Sequence, residues 1–304
     1  MQAHIETGYQ QLVDIFLQQA LLDPLSVPFM QRALIAVALT GIVCGVMGAY
    51  VVTRGMAFLG DAMAHAIVPG VALSYIATGG ALGAVTLGGL GAAVFAAVFI
   101  GWLTRGRRLS EDTAIGVVFA GMLALGIAII STTRNYSTDL THLLIGNVLA
   151  VTPDDVALIA FVAVTVLVIV ALLYKEMLVI SFDPILARVL RLPAERLRLL
   201  LLVLLAVTVV ISLQTVGVAM VVSLLVTPAA TARFFARRMH TLMALSALIG
   251  AAGSAFGMFI TWHLRIAPSA GIVLTLTAIF LLAFLFAPRG GFIWGVLRRA
   301  EAGT

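Results

Sequence analysis

Two residues with the chemistry of metal ligands lie close together in an apolar stretch of the sequence, FLGDAMAHAIVPG at 58–70. Asp61 and His65 are four residues apart, so on a helix their side chains lie on one face. A carboxylate and an imidazole suit Mn²⁺, Zn²⁺ or Fe²⁺, whereas a pair without thiolate or thioether does not favour Cu⁺. Ionisable groups within membrane segments usually mark a substrate or proton path. The pair is therefore a candidate metal site, with a purely structural Asp–His pair as the alternative.

Three further residues are candidates for lining or gating a path. Pro69 follows His65 by four residues and cannot donate a hydrogen bond to its carbonyl, which predicts an interrupted helix with that carbonyl left free. Pro228 is predicted to kink its helix in the same way. Gln214 is a polar amide within an apolar stretch. A structural role is the alternative for each of the three.

The composition determines what kind of element must position these residues. Of the 304 residues, 62% are hydrophobic and 10% are charged, whereas soluble domains carry about 25% charged residues. Several apolar runs reach the ~20 residues that a helix needs to cross a bilayer. Runs of this length satisfy their backbone hydrogen bonds as helices and not as barrel strands. The sequence predicts an all-α, polytopic membrane bundle in contact with lipid.

The apolar runs predict about nine transmembrane helices. The sixth and seventh runs are short and adjacent, so eight is the alternative count. An N-terminal interfacial segment (1–28), which contains an amphipathic stretch at 8–22, precedes the transmembrane domain (29–288), and a cytoplasmic tail (289–304) follows it. The predicted helices cover 29–52, 57–78, 81–103, 113–131, 154–174, 197–213, 216–235, 241–262 and 270–288.

Arginine placement predicts the orientation in the cell membrane. Arginines cluster in three loops, at 104–112, 175–197 and 233–240, and near the end of the chain. Because cytoplasmic loops carry the excess of basic residues, we expect these loops and the C-terminus inside and the N-terminus outside. The same placement explains the net charge of +5 without a nucleic-acid partner.

A short helix is predicted within the second basic loop, from Asp183 to Leu192. Asp183 followed by Pro184 is a favourable start for a helix. No phosphate-binding loop occurs in the chain, because its single lysine, Lys175, follows the apolar run VIVALLY and not glycines. If transport is driven by ATP, we therefore expect the ATPase to be a separate polypeptide.

Five motifs in a fixed order resemble the permeases of the zinc/manganese class of ABC importers. The resemblance covers nearly the whole chain after residue 28. The motifs read RGMAFLGDAMAHAIVPGVAL (54–73), SEDTAIGVVFAGMLALGIAIIS (110–131), DLTHLLIGNVLAVTPDD (139–155), FDPILARVLRLP (182–193) and QTVGVAMVVSLLVTPAATAR (214–233). The resemblance implies a type II ABC-importer-like permease, which is not itself an enzyme and has no permanently bound cofactor. Its cargo would be Zn²⁺ or Mn²⁺.

The resemblance also implies partners and residue roles. The permease would be a homodimer with the metal path on its twofold axis, a separate ATPase dimer on the cytoplasmic side and a metal-binding solute protein outside. Asp61 and His65 match metal-contacting positions in this family. The helix that begins at Asp183 matches the element that sits in the ATPase groove, with the expected coupling residues Asp183, Leu186, Ala187, Val189 and Leu190.

Three positions depart from the family pattern. Ala64 replaces the usual serine, Arg191 stands where a glycine is usual, and Arg265 stands where an acid is frequent. The alternatives to a zinc or manganese importer are an iron-type substrate in the same family, a proton-coupled secondary carrier of metal or small solute, and a membrane scaffold without transport activity.

Overall fold

The computed structural model describes residues 23–79, 82–105, 109–132 and 148–287. Within these ranges the chain forms α-helices and one short 3-10 segment, Val148–Ala150, and no strand. The helices are α1 (Asp23–Ser26), α2 (Pro28–Arg54), α3 (Leu59–Ala66), α4 (Val68–Thr78), α5 (Leu82–Leu103), α6 (Glu111–Ser131), α7 (Pro153–Leu172), α8 (Tyr174–Phe182), α9 (Pro184–Val189), α10 (Ala194–Val216), α11 (Val218–Arg233), α12 (Met239–Leu264) and α13 (Pro268–Phe286).

The described helices include eight segments long and apolar enough to cross a membrane, where α3 and α4 count together as one segment, Leu59–Thr78. This confirms the predicted membrane helical bundle. The sixth predicted helix is long, Ala194–Val216, and only the seventh is short. At 16 residues, α11 extends for about 24 Å, less than the ~30 Å hydrocarbon core of a bilayer. Most of residues 1–28 and all of 289–304 lie outside the described residues.

Helix α2 forms the centre of the bundle, where it packs antiparallel to α12. A Cβ atom added to Gly41 would lie 2.5 Å from the carbonyl oxygen of Gly250, and one added to Gly45 would lie 2.5 Å from that of Ser246. Gly48 meets the backbone of Leu225 on α11 in the same way. Only glycine at these positions lets the backbones come so near.

The three arginine-rich loops lie at the same end of the bundle. Arg198, at the start of α10, donates to the carbonyl of Gly101 at 3.0 Å, which brings the second basic loop to the first. The antiparallel register of α2 and α12 places Met239, and with it the third loop, beside the Arg54 end of α2. Phe29 and Trp262 meet at the opposite end, with ring centroids 6.3 Å apart.

Helix α11 begins inside the bundle. The chain reverses at Gly217, which has φ 80° and ψ 165°. One turn before the reversal, the hydroxyl of Ser212 lies 3.6 Å from the Cys44 sulfur, and Leu225 contacts Gly48 further along. The reversal therefore lies beside the middle of α2 and not at its outer end, which explains why the seventh helix is short.

Candidate metal centre

Asp61 and His65 share one face of the short helix α3, as their spacing predicts. The imidazole Nδ1 lies 3.0 Å from the backbone carbonyl oxygen of Asp61 and 3.6 Å from its carboxylate Oδ1. Because a carbonyl only accepts hydrogen bonds, Nδ1 must carry the proton. In a neutral imidazole this leaves the lone pair on Nε2. The backbone thus selects the tautomer that can ligate a metal through Nε2.

The pair lies inside the bundle and is open on one side. A Cβ atom on Gly60 would lie 2.8 Å from the Leu225 side chain, which is the residue that also meets Gly48 on α2. Asp61 therefore lies at the same height in the bundle as Gly48, which is about 9 Å along α2 from its charged end at Arg54. The His65 and Asp61 side chains are 28% and 33% exposed. They are embedded between helices but remain accessible to an ion.

Aromatic rings pack against the imidazole. The Phe119 ring on α6 meets His65 edge to face, with centroids 5.4 Å apart and an interplanar angle of 89°. Phe119 also meets Phe58 edge to face, again at 5.4 Å. This arrangement is a favourable geometry for aromatic pairs, and together with the hydrogen bond from Nδ1 it fixes the ring plane. The sequence did not single out Phe119, because 54 positions along the chain separate it from His65.

The described residues of one chain form an incomplete metal site. Over the residues that the structure describes, no group of three or more His, Cys, Asp or Glu side chains is placed to hold a metal ion. Asp61 and His65 contribute one carboxylate and one imidazole, fewer donors than the four to six ligands that Zn²⁺ or Mn²⁺ takes. The described residues of one chain therefore leave the coordination of such an ion incomplete.

Pro69 interrupts the second transmembrane segment as predicted. Helix α3 ends at Ala66, and α4 restarts at Val68 with Pro69 in its first turn. The backbone N–H of Ile67 at the junction is directed to the His65 carbonyl, but groups only two residues apart do not form a helical hydrogen bond. The free His65 carbonyl stays a prediction. A Cβ atom added to Gly126 on α6 would lie 2.6 Å from the Val68 side chain, so α6 packs tightly against the first turn of α4.

The two other predicted path residues lie on α10 and α11. Gln214 is in the last turn of α10, and its side chain lies outside the described part of the structure. Pro228 is buried within α11, which continues through it from Val218 to Arg233. Pro228 leaves the carbonyl of Leu224 without its usual helical donor. Among the described residues, Pro228 makes no hydrogen bond or ring contact with His65.

The predicted short helix in the second basic loop is present as α9. The Asp183 carboxylate accepts hydrogen bonds from the backbone N–H groups of Ile185 at 3.0 Å and Leu186 at 2.9 Å, as its role as N-cap predicts. The apolar side chains on its outer side are exposed, and they belong to Ile185, Leu186, Val189 and Leu190. Ala187 is instead completely buried against Ile180 and Leu197, so it anchors the helix to the bundle.

Arg191 ends this helix in a left-handed conformation, with φ 53°. The N–H of Arg191 donates to the Arg188 carbonyl at 3.0 Å, and that of Leu192 donates to the Ala187 carbonyl at 2.9 Å. These two bonds form a Schellman motif, whose left-handed position favours glycine. The family's usual glycine at this position thus has a physical reason.

Comparison with known proteins assigns the family. The family model described as the ABC 3 transport family matches residues 26–287. The chain belongs to the ABC 3 transport family. This confirms the resemblance inferred from the five sequence motifs, and it makes the chain a multi-spanning transporter permease.

Proteins named for metal transport, and one solved structure, are similar to this chain over most of its length. The manganese transport system membrane protein MntC of Listeria monocytogenes is 42% identical over 271 residues, which cover 89% of this chain and 95% of MntC. The chelated iron transport system membrane protein YfeD of Yersinia pestis is 34% identical, covering 87% of both chains. The solved structure of PsaBC from Streptococcus pneumoniae in complex with Fab has a TM-score of 0.75 at 36% identity, covering 94% of this chain and 98% of that one.

Proposed function

We propose that this chain is the membrane permease of an ATP-driven importer of a divalent transition metal in the plasma membrane, with Mn²⁺ as the leading cargo. The observation that carries the proposal is the Asp61–His65 pair, whose backbone hydrogen bond leaves Nε2 of the imidazole free to ligate. A carboxylate and an imidazole in a partly open site inside the membrane are suited to passing an ion and releasing it. Relatives named for manganese and chelated iron transport support this cargo class.

The incomplete ligand set supports a homodimer. Two copies would bring two carboxylates and two imidazoles together near the twofold axis, enough for a four- to six-coordinate ion. The carboxylates would offset the ion's charge inside the membrane, where apolar neighbours such as Phe58 do not. Pro69, Gln214 and Pro228 remain proposed path or gate residues.

The two ligand types do not distinguish the candidate cargoes, and Mn²⁺ leads because relatives are named for manganese transport. Carboxylate oxygen suits Mn²⁺, while imidazole suits Zn²⁺ and Fe²⁺ equally well. We therefore expect Mn²⁺ uptake that Zn²⁺ and Fe²⁺ inhibit by competition. Uptake assays with each of the three ions, and with the other two as competitors, would rank them.

The proposed importer takes its energy from a separate ATPase dimer. The capped helix α9 presents Ile185, Leu186, Val189 and Leu190 at the basic end of the bundle, and we infer that they dock the ATPase there. This end is cytoplasmic in our proposal, with the C-terminus inside and the N-terminus outside. A metal-binding solute protein would deliver the ion at the opposite end. The proposed transmembrane domain spans 29–288, between the interfacial segment 1–28 and the tail 289–304.

Uptake by the reconstituted permease and ATPase tests the metal site. We expect His65→Ala and Asp61→Asn each to abolish Mn²⁺ uptake while the permease and the ATPase still co-purify. The matched control is His263→Ala. The Nδ1 of His263 also bonds a backbone carbonyl four residues earlier, that of Phe259 at 2.8 Å, but among the described residues no ion pair joins His263 to a carboxylate. Normal uptake in the Asp61 and His65 variants would show that the pair is structural.

Removing the ATPase tests the energy source. We expect the permease alone, in vesicles with an imposed proton gradient, to take up no Mn²⁺. Uptake driven by the gradient in the absence of ATPase and ATP would identify a proton-coupled secondary carrier instead.

A further inference from the structure

A continuous series of contacts connects α9, the proposed ATPase-docking segment, to His65. The series runs through one helix, α6. We propose that Glu111 and Phe119, both on α6, transmit the movement of the ATPase-docking segment to the metal ligands. Neither residue touches the metal; both act as positioning residues. This inference rests on the proposed function and adds to it the route by which ATP hydrolysis reaches the site.

Glu111 is the centre of a largely buried group of charges. Its Oε1 lies 2.5 Å from Nη2 of Arg54 and 3.6 Å from Nη1 of Arg198, and these three side chains are only 11% to 24% exposed. Arg54 is the last residue of α2, Glu111 the first of α6, and Arg198 lies in the first turns of α10. Leaving a buried charge without its partner is costly, so the three helix ends are held together as a unit.

Arg198 joins this group to the ATPase-docking segment. Its chain neighbour Leu197 is buried in a small apolar cluster with Ala187 of α9 and Ile180 of α8. A displacement of α9 therefore moves the start of α10, and Arg198 with it. A cavity of about 520 Å³ lies beside Arg54, Glu111 and Arg198, which leaves space for the arginines to change partners.

The other end of this route is Phe119. It lies eight residues after Glu111 on the same helix, about 12 Å along the axis. Its ring contacts the imidazole of His65 edge to face at 5.4 Å. The imidazole is otherwise held by the Asp61 carbonyl, so a shift of α6 changes the direction in which Nε2 points.

Arg54 supplies a second, shorter route to the same site. The chain leaves α2 at Arg54, turns at Gly55 with φ 72°, and enters α3 at Leu59, two residues before Asp61. Glu111 thus restrains the segment that carries Asp61 through Arg54, and it restrains His65 through Phe119. Both ligands are linked to one carboxylate at the ATPase-docking end. Contact alone does not demonstrate coupling, so the proposal needs a measurement of coupling.

The test uses the full permease–ATPase complex in vesicles and measures Mn²⁺ uptake and ATP hydrolysis in parallel. For Glu111→Gln and Phe119→Leu we expect the ATPase to co-purify and ATP to be hydrolysed, while the Mn²⁺ transported per ATP falls by about tenfold. The matched control is Glu195→Gln, because that carboxylate is 57% exposed and also contacts Arg198. We expect its ratio to stay within about twofold of the wild type, because exposed pairs contribute little. Glu111→Asp, which keeps the charge, should restore part of the ratio.

A purely structural role gives a different result. If Glu111→Gln and Phe119→Leu lower uptake and hydrolysis in equal proportion, or leave both unchanged, the transmission route is wrong. Loss of uptake in His65→Ala combined with a normal ratio in these two variants would reject the route and leave the metal site intact. Normal uptake in His65→Ala would reject the proposed metal site itself.

Discussion

The Nδ1 atom of His65 lies closer to the backbone oxygen of Asp61, at 3.0 Å, than to its carboxylate oxygen, at 3.6 Å. The two parts of one aspartate therefore have different tasks. The backbone carbonyl fixes the imidazole proton on Nδ1, and the carboxylate remains available as a charged ligand. If the two side chains served only as hydrogen-bond partners for each other, the carboxylate oxygen would lie closer to Nδ1 than the backbone oxygen does.

Acidification is expected to slow uptake. A protonated imidazole has no lone pair and carries a charge that repels the metal ion, so binding requires the neutral form. The initial rate of Mn²⁺ uptake should therefore fall as the medium is acidified. ATP hydrolysis measured at each pH is the control. An uptake rate that follows hydrolysis alone, or that stays constant, would contradict a ligand role for the imidazole.

Substitutions in the ATPase-docking segment should have two different effects. Some should remove the contact with the ATPase, and one should weaken the attachment of the helix to the bundle. Val189 is 72% exposed, so Val189→Asp is expected to abolish ATPase co-purification with little change in the thermal stability of the permease. Ala187 is buried, so Ala187→Asp places a charge in an apolar cluster and should lower stability itself. Co-purification in detergent and thermal unfolding distinguish the two effects. Full ATPase binding by Val189→Asp would show that the ATPase docks elsewhere.

Arg191→Gly is expected to stabilise the end of the ATPase-docking helix. The left-handed position costs an ordinary residue about 1–2 kcal/mol, and part of that gain is lost to the flexibility of glycine in the unfolded state. Relative to Arg191→Ala, which keeps the steric cost, we expect amide exchange in residues 185–192 to slow by about threefold. Hydrogen-exchange mass spectrometry measures this directly. Equal exchange in the two variants would mean that the backbone cost at this position is negligible.

The contact between α2 and α12 should tolerate no side chain at Gly41. A Cβ atom there would lie 2.5 Å from the Gly250 carbonyl oxygen, so Gly41→Leu must push the two central helices apart. We expect loss of monodisperse protein in detergent and a large fall in thermal stability. The control is Gly121→Ala on α6, whose added Cβ meets no atom within 4 Å; better helix propensity should stabilise it by up to about 1 kcal/mol. A stable Gly41→Leu variant would disprove the close packing.

Features that depend on neighbours in the sequence could be predicted, and the structure contains them. The caps at Ser110 and Asp183, whose side chains accept bonds from Thr113 N–H and Leu186 N–H, follow from residue types at helix starts. The interruption before Pro69 follows from its missing donor. The face shared by Asp61 and His65 follows from helical spacing. Each of these rests on interactions within four residues.

Features that depend on contacts between distant segments could not be predicted. By its type and place, Glu111 is only a charge that suits a helix start, whereas its carboxylate also pairs with Arg54 and Arg198, 57 and 87 positions away in the chain. The depth of the chain reversal at Gly217 inside the bundle could not be predicted either, because it depends on how α10 and α11 pack on α2. The composition of α11 looks like that of a full transmembrane helix, and only its packing shows that it begins halfway.

The burial of Cys44 makes the natural sequence a ready background for site-specific labelling. It is the chain's one cysteine, it is fully enclosed, and its sulfur faces Ser212. A thiol reagent that cannot penetrate the folded protein will therefore label only cysteines introduced elsewhere, and no existing residue has to be removed. Arg196→Cys at the basic end and Ile266→Cys at the other end, both exposed, would each give one signal. A membrane-impermeant reagent, applied to intact cells and separately to inside-out vesicles, would then determine the orientation of the chain without altering its core.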